Sequence, residues 1–467
     1  MEKKHNGFTT FMAVATCKAA RKACQLAHRG GTTFPGEMAM KIDPNILEVV
    51  SQGMEVIVVT GTNGKTTTAR MIEQALTKSG KETLANKTGA NLLSGVTAEF
   101  AFNATASGKP RQKYAVVECD EAALKLIVPL VHPKVILVTN LFRDQLDRYG
   151  EVMHTLEQIR LGVEKCPDSV LVLNADCSLT SSLALDVPNP VVYYGLDTPV
   201  GDQKEATVSD AKYCIKCGTE YHYDYRTFAH LGGYVCPKCG YKRTEPSVAV
   251  TEIEKVTSSG SFVKMKLPNA DGTSEVREVK IALPAVYNIY NAASAVASYI
   301  AAGLDKEEIV SSLADVSSSF GRMETFDLDG VPIQMILVKN PAGCNQALEY
   351  LHDLDEDFNA VFFLNDRVND GHDISWIWDA EYEKICTEGH MKHAIVSGLR
   401  AEDMQLRLKY AGASEDIMEV IQGNETIIDQ LRESKLPVFI LPNYTAMLKI
   451  RNDLGAVCGK GEFWKGV

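Results

Sequence analysis

The sequence predicts an α/β protein: a nucleotide-binding domain built on a parallel, doubly wound sheet, an inserted four-cysteine ribbon, and a smaller α/β domain toward the C-terminus. Three observations support this prediction. Short apolar, β-branched runs alternate with helical segments along most of the chain. A glycine-rich turn that ends in Lys-Thr joins one of these runs to a helix. Two Cys-x-x-Cys pairs, eighteen residues apart, interrupt the α/β pattern.

Composition limits the classes of protein to consider. The chain has 467 residues, 45% of them hydrophobic, which is enough for roughly two or three domains. The net charge of −12 argues against a nucleic-acid-binding protein, which would usually carry a basic surface. No run of 18 apolar residues is present, so we predict no transmembrane helix and at most peripheral contact with a membrane.

The N-terminal segment, residues 1–36, is basic but lacks the apolar core of a secretory signal. We expect a helix over Ala13–Ala27, ended by the glycines that follow. The chain has twelve cysteines, and we expect most of them to be reduced thiols in a cytoplasmic protein.

The strongest motif is Val56–Thr68, which reads Val-Ile-Val-Val-Thr-Gly-Thr-Asn-Gly-Lys-Thr-Thr-Thr. A buried strand, a glycine-rich turn and a helix N-terminus form a phosphate cradle, because glycine lets backbone N–H groups approach the oxygens. Lys65 would reach the β- and γ-phosphates, and Thr66 would bind Mg²⁺. The residues expected to contact the nucleotide are Gly61, Thr62, Asn63, Gly64, Lys65, Thr66 and Thr67. Val59 replaces the usual first glycine, so an ordinary strand-turn-helix corner is the alternative.

A second candidate group is the acidic end of the run Tyr114–Glu121. Carboxylates at the carboxyl end of a parallel strand lie where α/β sheets bind ligands. We therefore predict that Glu118 acts in catalysis as a second Mg²⁺ ligand, directly or through water. Asp120 and Glu121 are weaker candidates, and a solvated acidic strand end is the alternative for all three.

The two cysteine pairs have the spacing of a structural zinc site. Four thiolates make a closed tetrahedral site with no position left for a water molecule. Aromatic residues between the pairs would form a small core or a packing surface. Four unrelated thiols, or a disulfide pair, are the alternatives. The predicted zinc ligands are Cys214, Cys217, Cys236 and Cys239.

A loop near the C-terminus also concentrates chemistry. The apolar run that starts at Val361 leads into Arg367–Asp379, where carboxylates and a histidine lie beside two tryptophans. Such groups could orient an amine or activate a neighbouring imidazole. Asp370 and Asp373 are the candidate catalytic residues, and the residues do not favour one over the other. A surface loop rich in Asx turns is the alternative.

Taken together, the motifs resemble those of the Mur ligase family, which includes the folylpolyglutamate synthases. The turn Thr60–Thr67 resembles that family's phosphate loop, and Asn140, Asp144 and Asp147 resemble part of its T-N-x-x-x-D-H-L-D-x-H segment, with Gln145 and Tyr149 replacing the histidines.

Later motifs extend the resemblance in the family's order. By this resemblance, Asn288 and Asn291 would contact the nucleotide base from an N-x-x-N-A helix, although Asn at a helix start also serves as a cap. Arg322, in a G-R-x-E segment, would contact the phosphates or the ribose, with a surface ion pair as the alternative. Lys339-Asn-Pro keeps only the last two residues of the family's D-Y-A-H-N-P strand.

One branch of this family lacks the N-terminal nucleotide-sugar domain, carries a four-cysteine ribbon and has the loop N-D-x-x-x-D-G-x-D-x-S-W-I-W-D. This chain is similar to that branch over about residues 30–460. The resemblance implies a central ATP-binding domain over residues 1–325 with the zinc ribbon at about 205–246, and a C-terminal α/β domain over residues 326–467.

The same resemblance implies an activity in peptidoglycan biosynthesis. ATP and Mg²⁺ would activate the α-carboxylate of D-glutamate in the stem peptide of lipid II as an acyl phosphate. Ammonia from a partner glutaminase, GatD, would convert it to D-isoglutamine, in a heterodimer in the cytoplasm at the inner face of the membrane. Two alternatives remain: a self-sufficient carboxylate–amine ligase like folylpolyglutamate synthase, and a zinc-ribbon adaptor that uses ATP as a switch.

Overall fold

The computed structural model describes residues 7–26, 31–86, 90–143, 152–200, 210–257, 259–316 and 321–460. The strands are β1 Glu55–Thr60, β2 Thr83–Ala85, β3 Tyr114–Glu118, β4 Val135–Val138, β5 Val170–Asn174, β6 Val191–Leu196, β7 His222–Phe228, β8 Leu231–Val235, β9 Val248–Thr257, β10 Gly260–Pro268, β11 Ser274–Ile281, β12 Arg322–Leu328, β13 Val331–Ile336, β14 Phe358–Phe363, β15 Met391–Ser397, β16 Met418–Val420 and β17 Val438–Pro442.

The α-helices of the described residues surround these strands. They are α1 Gly7–Leu26, α2 Phe34–Ile42, α3 Ile46–Ser51, α4 Lys65–Lys78, α5 Leu93–Asn103, α6 Leu124–Val131, α7 Val152–Val163, α8 Ser178–Ser182, α9 Val286–Ala301, α10 Lys306–Leu313, α11 Pro341–His352, α12 Glu383–Thr387, α13 Ala401–Tyr410, α14 Asn424–Arg432 and α15 Tyr444–Val457. Short 3₁₀ turns occupy Leu183–Leu185, Ser375–Asp379 and Glu415–Ile417.

The larger sheet has the strand order β11-β10-β9-β6-β5-β4-β1-β3-β2. The seven strands from β9 to β2 in this order pair in parallel, and β9, β10 and β11 form an antiparallel edge. Continuous apolar runs form the central strands because helices cover both faces of the sheet. In β1 every residue after Glu55 is buried, as the run Val-Ile-Val-Val predicts.

Most of helix α9 is buried, and its sequence explains why. Residues 288–299 are all buried, and half of them are alanine or serine. Small side chains let the helix pack closely on β4, β5 and β6, and a helix that is apolar all round must be buried. The position of α9 places its first turn beside the glycine-rich turn after β1.

The smaller sheet has the order β12-β13-β17-β14-β15-β16, with β12 antiparallel and the other strands parallel. Apolar clusters cover its two faces. A buried ion pair joins its first strand to α15: Arg451 Nη2 lies 3.0 Å from Glu324 Oε1. The second carboxylate oxygen of Glu324 accepts the backbone N–H of Gly321 at 3.0 Å.

The predicted α/β class is confirmed: a largely parallel sheet is followed by a smaller α/β unit toward the C-terminus. The N-terminal helix begins earlier than predicted, at Gly7. Its buried face runs through Thr10, Ala13, Val14 and Cys17, a helical spacing that starts before Ala13.

The buried ion pair yields a stability prediction. Arg451→Met should lower the free energy of unfolding by about 3–5 kcal/mol, because Glu324 would stay buried without its cation. Glu324→Gln combined with Arg451→Met should unfold at a higher temperature than the single variant, since no unpaired charge is left. Scanning calorimetry of both proteins checks this, and equal melting temperatures would contradict it.

Candidate active site

Two glycines shape the turn after β1. Gly61 and Gly64 have φ values of +114° and +87°, which favour glycine. A Cβ atom at Gly61 would lie 2.4 Å from Thr139 Oγ1, and one at Gly64 would lie 2.1 Å from Asn291 Oδ1. The turn therefore packs tightly between the end of β4 and the first turns of α9.

Hydrogen bonds from the residues after β4 hold the turn in place. The backbone N–H of Thr62 donates to Asn140 O at 2.9 Å, and that of Asn63 donates to Asn140 Oδ1 at 3.0 Å. Thr139 Oγ1 donates to Asn63 O at 2.7 Å. Thr62 Oγ1 donates to Phe142 O at 3.2 Å and accepts the Phe142 N–H at 3.1 Å. Thr67 is buried in the first turn of α4.

Lys65 begins α4 with its ammonium group buried. It donates to Gly61 O at 2.5 Å and to Thr62 O at 3.3 Å, and it lies 3.0 Å from Glu121 Oε1. Burial alone would lower the pKa of Lys65, but the charges of Glu121, Glu118 and Asp120 outweigh it and raise this pKa. Lys65 therefore stays cationic at the glycine-rich turn, which suits contact with phosphate oxygens.

Thr66 and Glu118, both predicted magnesium ligands, lie together. Thr66 Oγ1 donates to Glu118 Oε2 at 2.6 Å. Asn86 fixes the backbone of Glu118: its amide accepts the Glu118 N–H and donates to the Glu118 carbonyl, each at 2.8 Å. A hydroxyl in the first turn of α4 and a carboxylate at the end of β3 form an oxygen donor set that fits Mg²⁺.

The two asparagines of α9 lie side by side behind the turn. Asn291 Nδ2 donates to Asn288 Oδ1 at 3.1 Å, and Asn288 Nδ2 donates to Pro284 O at 2.6 Å. Both are buried. Asn291 lies against Gly64, and Ser294, one turn later, lies 3.3 Å from Thr68 through their hydroxyl oxygens.

Asp370 lies in a buried network at the carboxyl edge of the smaller sheet. Its Oδ1 accepts the N–H of Thr445 at 2.7 Å, and its Oδ2 accepts the Thr445 hydroxyl. Asn365 Nδ2 donates to Thr445 Oγ1 at 2.9 Å, and Asn443 Nδ2 donates to Asn365 O at 2.6 Å. Burial raises the pKa of Asp370, and the bonds from Thr445 lower it; burial is the larger effect.

Tyr444 is the first residue of α15 and precedes Thr445, whose N–H and hydroxyl bond to Asp370. Burial raises the pKa of this tyrosine, Arg322 lowers it, and the carboxylates of Glu118 and Asp370 raise it further. Charged groups of both sheets therefore influence the titration of Tyr444. The sequence analysis did not select Tyr444, because a tyrosine after a buried strand carries no recognisable motif.

Asp373 has different surroundings, although it lies only three residues after Asp370. Its Oδ1 accepts the N–H of Ser375 at 2.8 Å, which is an Asx turn. Hydrogen bonds from Ser375 lower the pKa of Asp373, and Arg143 lowers it further. Arg143 also forms an ion pair with Asp379 at 2.6 Å. Asp373 thus lies beside the segment that follows β4, and Asp370 lies beside Tyr444.

The two sheets meet through the N-terminus of α11. Asn340 caps this helix by accepting the Gly343 N–H at 2.8 Å, and its Nδ2 donates to Asn63 Oδ1 at 3.2 Å. The neighbouring Lys339 lowers the pKa of Glu121, although burial, the largest effect, raises it. Lys339 therefore adds a cation near the Lys65–Glu121 pair. Asp144 and Asp147 lie outside the described residues.

The four ribbon cysteines converge. Their sulfur atoms all lie within 4.8 Å of one another, with Cys214–Cys239 at 3.5 Å and Cys217–Cys236 at 3.4 Å. Gly218 and Gly240, with φ near +71° and +73°, close a turn after each pair. Four thiol donors in this arrangement fit a tetrahedral zinc ion.

The ribbon packs on the larger sheet. Tyr221, Tyr223, Tyr234 and Tyr241 form its small core, as expected for the aromatic residues of this segment. Arg243 reaches the buried Asp176 at 2.6 Å, and Tyr290 of α9 donates to the other oxygen of Asp176 at 2.6 Å. His230 and Phe228 stack on Phe142 at ring distances of 4.6 Å and 5.5 Å.

Comparisons with known proteins place this site in a family. The Mur ligase middle domain family matches residues 59–227, and the MurT ligase C-terminal family matches residues 337–447. The MurT subunit of the glutamine-hydrolysing lipid II isoglutaminyl synthase of Streptococcus pneumoniae is 33% identical over 91% of this chain and 93% of its own length. The same subunit of Staphylococcus aureus strain COL is 32% identical over 95% and 97%.

Solved structures agree on the fold. A pseudomurein peptide ligase type C from Methanothermus fervidus superposes with a TM-score of 0.63 at 21% identity, covering 86% of this chain and 78% of that chain. Folylpolyglutamate synthase from Mycobacterium tuberculosis superposes with a TM-score of 0.58 at 15% identity, covering 92% and 99%. Within the described ranges, no helix combines the length and apolar character needed to cross a bilayer.

The cysteine cluster yields a metal prediction. The purified protein should contain one zinc ion per chain, measured by plasma mass spectrometry, because four thiols converge at one point. Cys217→Ser combined with Cys236→Ser should remove this zinc. Cys458→Ser, which changes a half-buried thiol elsewhere, should leave it unchanged. Equal zinc content in all three proteins would contradict the assignment.

Proposed function

We propose that this chain amidates the α-carboxylate of D-glutamate in the stem peptide of lipid II. The chain belongs to the MurT family of Mur ligase-type, ATP-dependent ligases. The product is D-isoglutamine, and a separate glutaminase of the GatD type supplies ammonia. The observation that carries this proposal is the hydrogen bond from Asn340 to Asn63. It joins the glycine-rich turn beside Thr66 and Glu118 to the smaller sheet, which carries Asp370 in a buried network.

The first step transfers a phosphoryl group. An oxygen of the substrate carboxylate attacks the γ-phosphorus of ATP, and the bond from that phosphorus to the bridging oxygen breaks. ADP departs, and the substrate becomes an acyl phosphate. Backbone N–H groups of residues 64–66, at the N-terminus of α4, and the ammonium of Lys65 would stabilise the charge on the transferring group. Thr66 and Glu118 would hold Mg²⁺, which supplies further charge neutralisation when bound.

The second step forms the amide. The nitrogen of ammonia attacks the carbonyl carbon of the acyl phosphate, phosphate leaves, and the nitrogen loses a proton. We assign Asp370 the role of orienting ammonia or accepting its proton, because bonds from Thr445 fix this buried carboxylate at the carboxyl edge of the smaller sheet. Asp373 takes part in an Asx turn in the loop that Arg143 contacts through Asp379, so we assign it a lesser role.

The cysteines favour an external source of ammonia. In the described part of the chain, the cysteine paired with a histidine is Cys177, whose Sγ lies 3.6 Å from His230 Nε2. Both residues are fully buried. A glutamine molecule could not reach this thiol, so the pair does not fit a glutaminase nucleophile. We assign the ribbon cysteines to structural zinc, because a closed tetrahedral site leaves no position for a reactant.

Product mass tests the proposed function. Lipid II incubated with the protein, ATP, Mg²⁺ and ammonium should lose about one dalton, because an amino group replaces a hydroxyl. Glutamine should act as the nitrogen source only when the glutaminase is also present. Lys65→Ala should reduce the rate by at least about a hundredfold. Lys78→Ala is the matched control, since this lysine lies at the far end of the same helix with its side chain partly exposed. No mass change under any nitrogen source, or addition of an amino acid instead, would contradict amidation.

The pH profile tests the choice between the two aspartates. Thr445→Val removes a hydroxyl bond that lowers the pKa of Asp370. The pKa of Asp370 should therefore rise in this variant. If the reaction needs ionised Asp370, the acid limb of the kcat profile should move to higher pH. Ser375→Ala weakens the corresponding bonds to Asp373 and should leave the limb in place. A shift only in Ser375→Ala would assign the role to Asp373 instead.

A further inference from the structure

The N-terminal helix α1 has a long exposed apolar face. Its buried face packs against α2, α3 and α5. The opposite face carries large apolar side chains at both ends: Phe8, Phe11 and Met12 are 68%, 45% and 40% exposed, and Leu26 is 84% exposed. Exposed alanines at positions 15, 19 and 23 continue this face between the two ends. At 20 residues, the helix spans about 30 Å.

The charges along this helix differ from those of the whole chain. The net charge of the protein is −12, yet residues 7–26 contain no aspartate or glutamate. They contain three basic residues, Lys18, Arg21 and Lys22, and Lys22 is exposed. Arg21 is paired with Glu99 at 3.0 Å and stacks on Phe102.

A basic loop adds to this charge. Residues 105–113 form a loop with three basic residues and no acidic residue, and Lys109 and Arg111 are both exposed. The loop packs against the first half of the helix, because a Cβ atom at Gly108 would lie 2.6 Å from Thr10 Cγ2. Lys18 Nζ donates to Ala104 O at 2.5 Å, which joins the loop to the middle of α1.

The apolar residues extend toward the candidate active site. Phe34, at the start of α2, and Leu92, just before α5, are each about half exposed. The two helices touch, since a Cβ atom at Gly36 would lie 1.9 Å from Ser94 O. The residue before Leu92 is Asn91, whose carbonyl accepts the N–H of Asp120 at 3.0 Å. This end of the apolar surface therefore lies next to the acidic strand end that carries Glu118.

We propose that the exposed face of α1, with the basic loop of residues 105–113, docks the enzyme on the surface of an anionic phospholipid bilayer. Helices that lie in a membrane interface combine Phe and Leu on one side with Lys and Arg beside them. Protein interfaces, in contrast, are depleted of lysine. The biological reason for docking rests on the proposed function, because a lipid-linked substrate reaches the active site from a bilayer.

Vesicle binding by the full chain, alone and with the glutaminase, tests the proposal. The protein should sediment with vesicles of phosphatidylcholine and phosphatidylglycerol, and only weakly with phosphatidylcholine alone. Phe8→Ser combined with Phe11→Ser should reduce the bound fraction about tenfold. Lys109→Gln combined with Arg111→Gln should reduce it at least about fivefold. The controls should bind like the wild type: Val276→Ser with Tyr410→Ser, and Lys255→Gln with Lys280→Gln, which are exposed residues away from α1.

Several outcomes would overturn the docking surface. These are equal binding to both kinds of vesicle, no binding to either, or equal losses in the test and control variants. Protection of residues 7–26 from hydrogen exchange by the glutaminase alone would assign the face to that partner. Dissociation of a homodimer by the phenylalanine variant would assign it to a second copy.

Amidation of lipid II in detergent separates this inference from the proposed function. The phenylalanine variant should keep wild-type activity in detergent micelles and lose activity on vesicles. Wild-type amidation in detergent without vesicle binding would overturn the docking surface alone. Selective vesicle binding without amidation under any condition would overturn the proposed function and leave the docking surface supported.

Discussion

The hydrogen bonds around Asn63 are the constraint on which the candidate site depends. The backbone of this residue forms hydrogen bonds with Asn140 and Thr139, just after β4. Its side chain accepts a hydrogen bond from Asn340, which follows the smaller sheet's second strand. One residue of the glycine-rich turn thus joins β1, β4 and the N-terminus of α11. Buried polar groups are costly when unpaired, so these bonds favour a single position for the turn. The position of the turn determines the direction in which Lys65 and Thr66 point.

The ribbon supports the same turn from another side. Phe142 exchanges two hydrogen bonds with Thr62, and its ring packs against His230 and Phe228 of the ribbon hairpin. The ribbon is itself anchored by Asp176, whose carboxylate is shared between Arg243 and Tyr290. Because this carboxylate is fully buried, losing either partner would be costly. The four-cysteine insertion and the glycine-rich turn are therefore connected through one aromatic side chain.

The sequence predicted the parts of the site that depend on local pattern. A strand followed by a Gly-rich turn and Lys-Thr predicts a helix that starts at Lys65, as observed. Thr66 and Glu118, the two residues assigned to Mg²⁺ from the sequence, lie 2.6 Å apart. The cysteine spacing likewise predicted the cluster. The sequence did not predict Thr445, because it meets Asp370 across 75 residues and carries no motif. Only the order of strands in the smaller sheet, with β17 beside β14, brings these loops together.

That strand order also explains why two aspartates of one loop differ. Asp370 accepts two bonds from Thr445, at the N-terminus of α15, where the helix dipole favours a carboxylate. Its position is therefore fixed relative to the smaller sheet. Glu118 is fixed relative to the larger sheet by Asn86. The separation of these carboxylates is then set by how the sheets dock, and Asn340–Asn63 is a direct bond across that contact. A small rotation of one sheet would change the distance between Glu118 and Asp370 without altering either half of the site.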